Sequence, residues 1–461
     1  MVPEQIASDV RTVISVAAHF AELKQSAAQL LASVGATDRG YFTPTEDEEV
    51  RHLLVSYWQS RNALIELVTT CYQNSRISRQ GREADFLTAY AGALVLIDAA
   101  RFLREHVHQR PVVRAKLNEP EPHFGVPPGT YDAIQKSLTS SVHAWHLYHA
   151  AHYFDSHKAE LRTTTNAKGL DDLFELIDRL QERLNIRIEE YALARLRDRT
   201  RRVATLVHRD LLGRALYGLQ KSVSRLISDV YTIPGHHPVL PEAVQKELCA
   251  LLQPGDVLIT RKEHALTNYF LPGFWPHAAL FLGTPRQLEQ LGLSEHANVK
   301  PRWRRLLECD LHEPRRVLEA MKDGVWIRSV ASPFGSDAIA VLRPRLTQEQ
   351  IAGALARGLF HEGKPYDFDF DFTRSDRLVC TEVVYRSYEG VGGVSFSLTR
   401  RAGRLTLAAE DLVDMALARQ FFDTLAVVVP QQIVGVATGS AAEHVIRTIA
   451  ARRSAASMAG G

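Results

Sequence analysis

Four cysteines, Cys71, Cys249, Cys309 and Cys380, are scattered through a chain of 461 residues without CxxC or finger spacing. That pattern points to free thiols in a reducing compartment, not to a disulfide framework or a structural zinc site. One of them has a setting suited to chemistry. Cys380 lies in Ser375-Asp376-Arg377-Leu378-Val379-Cys380-Thr381-Glu382, where Ser375 or Asp376 is expected to cap a helix and put the cysteine in its first turn. There a helix dipole stabilises a thiolate, and free backbone N–H groups receive a developing oxyanion. A buried structural cysteine fits the same spacing. Cys71, Cys249 and Cys309 sit among apolar or helical residues with no partner pattern and read as structural.

A nucleophilic cysteine needs a base, usually a histidine brought from elsewhere in the chain. Among 19 histidines, His277 is distinctive because it opens an apolar run, Pro276-His277-Ala278-Ala279-Leu280-Phe281-Leu282. In a strand, His277, Ala279 and Phe281 share one face, and a polar residue there is costly unless it is paired. Glu319, in Val317-Leu318-Glu319-Ala320-Met321, is an acid inside another apolar strand. A buried carboxylate accepting the imidazole N–H would fix its tautomer and favour the imidazolium. An edge-strand acid facing water is the alternative.

The elements that must position these residues fall into two halves. The first half reads as helix: Ile6, Val10, Val13, Ile14, Ala17 and Phe20 mark one apolar face. Thr45 ahead of Glu46, Asp47, Glu48 and Glu49 predicts a cap and a helix to about Tyr72. Further helices are expected over Glu83–Val107, Thr130–Phe154 and Leu170–Val230, the last broken near Gly213 or Gly218. Between them, Asn118 to Gly129 holds four prolines and two glycines and reads as loop. Thr232 to Pro241, with three prolines and a glycine in ten residues, is the best domain boundary. Beyond it, strands are expected at Asp256–Thr260, Ala278–Leu282, Val317–Met321, Val325–Val330, Ala338–Leu342 and Thr424–Val429. Asp323-Gly324 marks a hairpin turn between two of them. Thr347 with Gln350 fits a capping box, Cys380–Tyr388 reads as a helix, and the tail after Gly439 as a short helix that frays.

Several function classes find no support. Lys plus Arg is 55 against 53 for Asp plus Glu, a formal net charge of +2, so nothing global points to nucleic acid or an acidic membrane. The N-terminal segment carries Glu4 and Asp9 before any apolar run, unlike a secretory signal. The most apolar stretch, Ala89–Ile97, is about half of the ~20 residues that cross a bilayer. A cytoplasmic protein is the expectation. His143, His146, His149 and His152 recur every three residues, which drifts around a helix, and no acid among them completes a metal site. The basic run Arg195, Arg197, Arg199, Arg201 and Arg202 leaves peripheral membrane contact open, although a solvated helix face is the commoner reading. No Walker loop, GxGxxG or HExxH occurs.

The stretch Gly363-Lys364-Pro365-Tyr366-Asp367-Phe368, followed by Cys380-Thr381-Glu382, closely resembles the permuted branch of the NlpC-type papain-like cysteine hydrolases, the YiiX/YaeF group. Members open with a Gly-Asp strand, then a His-led strand, a Glu in an apolar strand, a GKPYDF segment and a Cys-(Ser/Thr)-Glu helix. Gly255-Asp256-Val257, His277, Glu319, Gly363–Phe368 and Cys380–Glu382 match in that order. The one departure is Val379, where close relatives often carry an aromatic. The resemblance covers roughly residues 245 to 435. It does not extend to the first 230 residues. Together with the patterning above it gives an α+β fold class: an N-terminal all-helical domain (residues 1–231), a linker (232–244), a circularly permuted papain-like domain with an antiparallel sheet (245–436) and a tail helix (437–461).

The resemblance further implies a Cys380–His277–Glu319 triad and no cofactor or metal. Tyr366 is expected to line the pocket, and Glu382 to anchor a substrate amine or cap the helix; a structural role fits both. The expected function is a thiol-dependent, amidase- or peptidase-like hydrolase of an amide- or acyl-linked substrate, whether peptide, amino-acyl or lipid. A lipid-directed acyltransferase or phospholipase, as in the related lecithin–retinol acyltransferase group, would use the same triad. A non-catalytic interaction protein is the third option, against which the intact Cys, His and Glu argue.

Overall fold

A computed structural model describes residues 2–33, 35–77, 81–121, 124–138, 141–165, 170–184, 239–262, 274–401, 404–430 and 435–459. The chain divides into two compact units, Met1–Tyr231 and Thr232–Gly461.

The first unit is helical throughout its described residues: α1 (Val2–Ser33), α2 (Ala36–Arg39), α3 (Pro44–Ile77), α4 (Arg82–Val107), α5 (Pro111–Leu117), α6 (Thr130–Leu138), α7 (Ser141–Thr165) and α8 (Asp171–Leu184). The apolar face read from α1 is buried through Ile6, Val10, Val13 and Phe20. Helix α3 begins one residue before the expected cap. Thr43, not Thr45, makes the capping box: the Glu46 N–H donates to Thr43 Oγ1 at 3.4 Å and the Thr43 N–H to Glu46 Oε2 at 2.8 Å. Pro44 then occupies the first helical position, where its missing N–H costs nothing. The same logic starts α5 at Pro111, a helix absent from the sequence reading. The single helix expected over Thr130–Phe154 is two, α6 and α7.

Helix α4 is long and apolar enough to cross a bilayer by length and composition, but most of it is buried inside the unit against α1, α3 and α8. Of its two buried acids, Asp85 and Asp98, Asp98 is paired with Lys24 of α1. The expected loop 118–129 is tied down by a bridge between Glu121 and Val126 and by Arg51, which donates to the Glu121 carboxylate. Of the helix expected over 170–230, only α8 lies within the described residues. The side chains of His143 and His146, the Arg195–Arg202 run and residues 232–238 of the boundary lie outside them.

The second unit is α+β. In chain order it comprises α9 (Glu242–Leu251), β1 (Val257–Arg261), β2 (His277–Gly283), α10 (Pro285–Gln290), α11 (Trp303–Glu308), β3 (Arg316–Met321), β4 (Gly324–Ser329), α12 (Ala331–Phe334), β5 (Ala338–Pro344), α13 (Gln348–Leu359), α14 (Cys380–Tyr388), β6 (Thr399–Arg401), β7 (Arg404–Thr406), α15 (Ala409–Leu417), β8 (Phe422–Val428), β9 (Ala437–Thr438) and α16 (Gly439–Ala459). Seven strands form one antiparallel sheet in the order β4-β3-β2-β1-β5-β8-β9, while β6 and β7 make a separate hairpin. Thr347 and Gln350 form the capping box expected at the start of α13.

Both faces of the sheet are covered, which explains why its strands read as apolar runs. Ile259, Leu280 and Leu318 pack with Leu355, Val383 and Leu412 of α13, α14 and α15. On the other face, Leu258, Phe281 and Val317 pack with Leu248 of α9 and Phe334 of α12. The tail is longer than expected: α16 spans 21 residues and buries Ala442, Ile446 and Ile449 in the first of these cores.

Candidate active site

Strand pairing brings His277 to Glu319. The antiparallel register that sets Leu280 opposite Leu318 carries Glu319 alongside Ala279, on the face of β2 that His277 shares and diagonal to it. His277 Nε2 lies 2.9 Å from Glu319 Oε2. Strand β3 is flanked by β2 and β4, so Glu319 is not an edge acid facing water; it is 1% exposed. Upstream, Glu410 anchors the segment that delivers His277, accepting the Phe274 and Trp275 N–H groups at 2.9 and 3.1 Å.

Cys380 is the first residue of α14, which packs against β2 and β3. The cap differs from expectation. Residues before the helix are extended, and Val379 rather than Ser375 or Asp376 occupies the cap position. The reason is a parallel bridge between Leu378 and Tyr366: the Leu378 N–H donates to Pro365 O at 3.1 Å and the Asp367 N–H to Leu378 O at 3.2 Å. The GKPYDF segment therefore aligns the two residues ahead of the cysteine. It is itself held by the 323–324 turn, through Gly363 N–H to Val325 O and Val325 N–H to Lys364 O, both 2.8 Å. Gly324 has φ +107°, and a Cβ there would lie 2.6 Å from the Lys364 carbonyl oxygen, so only glycine fits. Lys364 Nζ completes the clasp by donating to Ser375 O at 2.6 Å.

The charge of Cys380, at the start of α14, bears on the imidazole of His277. With Nε2 on Glu319, Nδ1 is the ring nitrogen left for the thiol. Burial alone would push the His277 pKa down; the charges of Cys380 and Glu319 outweigh it and raise it to about 9. For Glu319 burial favours protonation, but His277, Arg328 and Ser332 hold its carboxyl well below the usual range. Cys380 is 2% exposed and the His277 side chain 25%, so the histidine is the more open of the two.

Tyr366 is half-buried, with its ring 5.0 Å from that of Phe368. Burial and the charge of Cys380 push its hydroxyl pKa up. Glu382 has no exposed surface. Its Oε2 accepts the Val379 N–H at 3.1 Å and its Oε1 meets Arg386 at 2.9 Å. Of the two readings of Glu382, this geometry is that of a helix cap; the carboxylate is closed to a substrate amine. Burial raises its pKa to about 8 despite Arg386. Asp256 of the Gly-Asp strand is likewise structural, paired with Arg343 at 2.7 Å. Among the other thiols, Cys71 is fully buried and its pKa pushed well up, and burial also raises that of Cys249; Cys309 points to Ile327 O at 3.4 Å.

Residues 251–437 match the model of a permuted papain-like amidase enzyme family, YaeF/YiiX, the C92 family. The second unit carries a permuted papain-like domain. The match spans the sheet from β1 to β9 together with the Cys380 helix, and does not extend to the helical unit. No curated protein and no solved structure matches the chain.

Three residues around the permuted papain-like centre were not picked out from sequence. Ser332 and Arg328 meet Glu319 at the oxygen that does not face His277, and Asp323 in turn pairs with Arg328. Arg328 carried the same signal that exposed Glu319, a charge inside an apolar strand, and the hairpin turn at 323–324 sets the two on one face.

Proposed function

We propose that the second unit is a thiol-dependent hydrolase of the amidase or peptidase type, with Cys380 as nucleophile, His277 as general base and acid, and Glu319 as its orienter. The observation that carries this reading is the 2.9 Å contact of His277 with the buried Glu319, in a stretch that matches an amidase family and that also holds Cys380 at a helix start. In the first half-reaction the thiol proton passes to His277 Nδ1 and the sulfur attacks the carbonyl carbon of the substrate. The carbon–nitrogen bond then breaks, the imidazolium gives its proton to the leaving amine, and a thioester remains on Cys380. Water next attacks the thioester, His277 takes its proton, and the acid departs as the thiol is restored. The N–H groups of Cys380 and Thr381 precede the first hydrogen bonds of α14, which begin with Glu382 N–H to Val379 O, and suit the oxyanion.

The substrate class favoured is a peptide or amino-acyl amide whose acyl carbonyl reaches the cysteine past His277 and Tyr366. Iodoacetamide treatment followed by a panel of amide, ester and thioester substrates tests this. Hydrolysis of amides that is lost on alkylation and in Cys380→Ala supports it. Amide hydrolysis that survives both would remove Cys380 from the mechanism.

A further inference from the structure

The two oxygens of Glu319 have separate tasks. Oε2 faces His277 Nε2, whereas Oε1 accepts the Ser332 hydroxyl and lies 3.4 Å from Arg328 Nε. Arg328 comes from β4, next to β3, and Ser332 from the short helix that follows it. The far side of the Arg328 guanidinium is held by Asp323 at 2.5 Å, from the turn that joins β3 to β4. Arg328 is 7% exposed and Asp323 5%, so the Glu319–Arg328–Asp323 part of this chain lies almost wholly out of water, with His277 at its more open end. The Met321 sulfur, 3.9 Å from the Ser332 hydroxyl, adds no charge.

We infer that Arg328 and Ser332 are positioning residues that act through Glu319, keeping it ionised and turned so that His277 presents its free Nδ1 electron pair to Cys380. The inference rests on the triad reading above. Its chemistry lies in the tautomer. An ionised Glu319 accepts the Nε2 proton, so that in the neutral ring Nδ1 is bare and able to take the thiol proton. A protonated Glu319 would instead donate to Nε2, move the ring proton to Nδ1 and leave the thiol facing a donor. Burial drives Glu319 toward that protonated form. Arg328 opposes it with charge, Ser332 with a hydroxyl donor, and Asp323 keeps Arg328 in place.

The test compares wild type with Arg328→Gln, Arg328→Lys and Ser332→Ala, using p-nitrophenyl acetate turnover from pH 4 to 10. In Arg328→Gln the acid limb of kcat is expected to move about one pH unit upward. The kcat deficit should be largest at the acid end of the range, with KM unchanged, and vanish toward neutral pH. Arg328→Lys should restore most of the limb, and Ser332→Ala should shift it by less. A merely structural role would lower activity equally at every pH. Profiles of Arg328→Gln and Ser332→Ala that overlay the wild type after scaling therefore overturn the inference while leaving the triad intact. A wild-type protein that neither turns over the ester nor is alkylated at Cys380 overturns the triad reading, and this inference with it.

Discussion

The proposed pairing of the Cys380 thiol with the His277 imidazole has consequences at the level of single residues. Cys380 should be alkylated by iodoacetamide faster than Cys71, Cys249 or Cys309, because it alone sits against a histidine of raised pKa. Peptide mass spectrometry at neutral pH reads the order; equal labelling of all four in the folded protein would contradict it. Cys380→Ala should abolish covalent turnover yet retain binding. Glu319→Gln should keep the fold but present an amide N–H to His277, reversing the ring tautomer, and lower kcat on the order of 10²-fold or more. The leaving amine needs the imidazolium proton. Since His277 is raised to about 9, kcat should fall as pH rises through that value. An alkaline limb near 6.5 would mean that neither Cys380 nor Glu319 bears on the ring.

Between elements, the decisive contact is the clasp of the GKPYDF segment, the 323–324 turn and the residues ahead of α14. Gly324→Ala should cost about 1–3 kcal/mol, through its positive φ and the close Lys364 carbonyl. The loss would be read as a lower unfolding midpoint, with the rate of Cys380 alkylation reduced alongside. An unchanged midpoint would show that the turn relaxes freely. The buried cap adds a pH dependence. Glu382 has a folded pKa near 8, raised above its ordinary value of 4.5, so the native state binds this proton more tightly than the unfolded chain does. Stability therefore declines as pH climbs from about 4.5 to 8. His277 works in the same direction: its contribution is full below 6.5 and is lost as pH rises through about 9. Thermal unfolding of the second unit should shift to lower temperature between pH 5 and 9, and Glu382→Gln should flatten that slope below pH 8. A wild-type midpoint that climbs over this range would contradict the assignment.

Across the whole molecule, two compact units meet at a sequence boundary rich in proline. Proteolysis distinguishes that boundary from the other proline-rich stretch. The 118–129 loop buries Phe124 and Val126, and its Glu121 is bonded to Arg51, so subtilisin should leave it intact. Cuts are expected within Thr232–Pro241 instead, giving two fragments by mass spectrometry. Early cleavage at 118–129 would show that these anchors open readily. The family match covers residues 251–437 within the second unit.

Much of this protein is legible in its sequence. Periodicity and punctuation place α1, α3, α4 and α8 of the first half, though not α5 or the break between α6 and α7, and most strands of the second, the hairpin turn at Asp323-Gly324 and the capping box at Thr347. The spacing of His277, Glu319, the GKPYDF segment and Cys380 carries the family resemblance, because each motif is local and its residue types are dictated by local geometry. Other features depend on partners far along the chain. Whether Glu319 is buried or at an edge is set by β2 and β4 flanking its strand, and Val379 displaces Ser375 as cap because residues 365–367 pair with Leu378. Glu382 serves the helix and not a ligand because the sheet and α14 close over it, and Arg328 and Ser332 reach Glu319 only once β3 and β4 are paired. Residue type announces that a buried charge must be compensated; only tertiary packing decides which group compensates it, because that choice depends on which strands become neighbours.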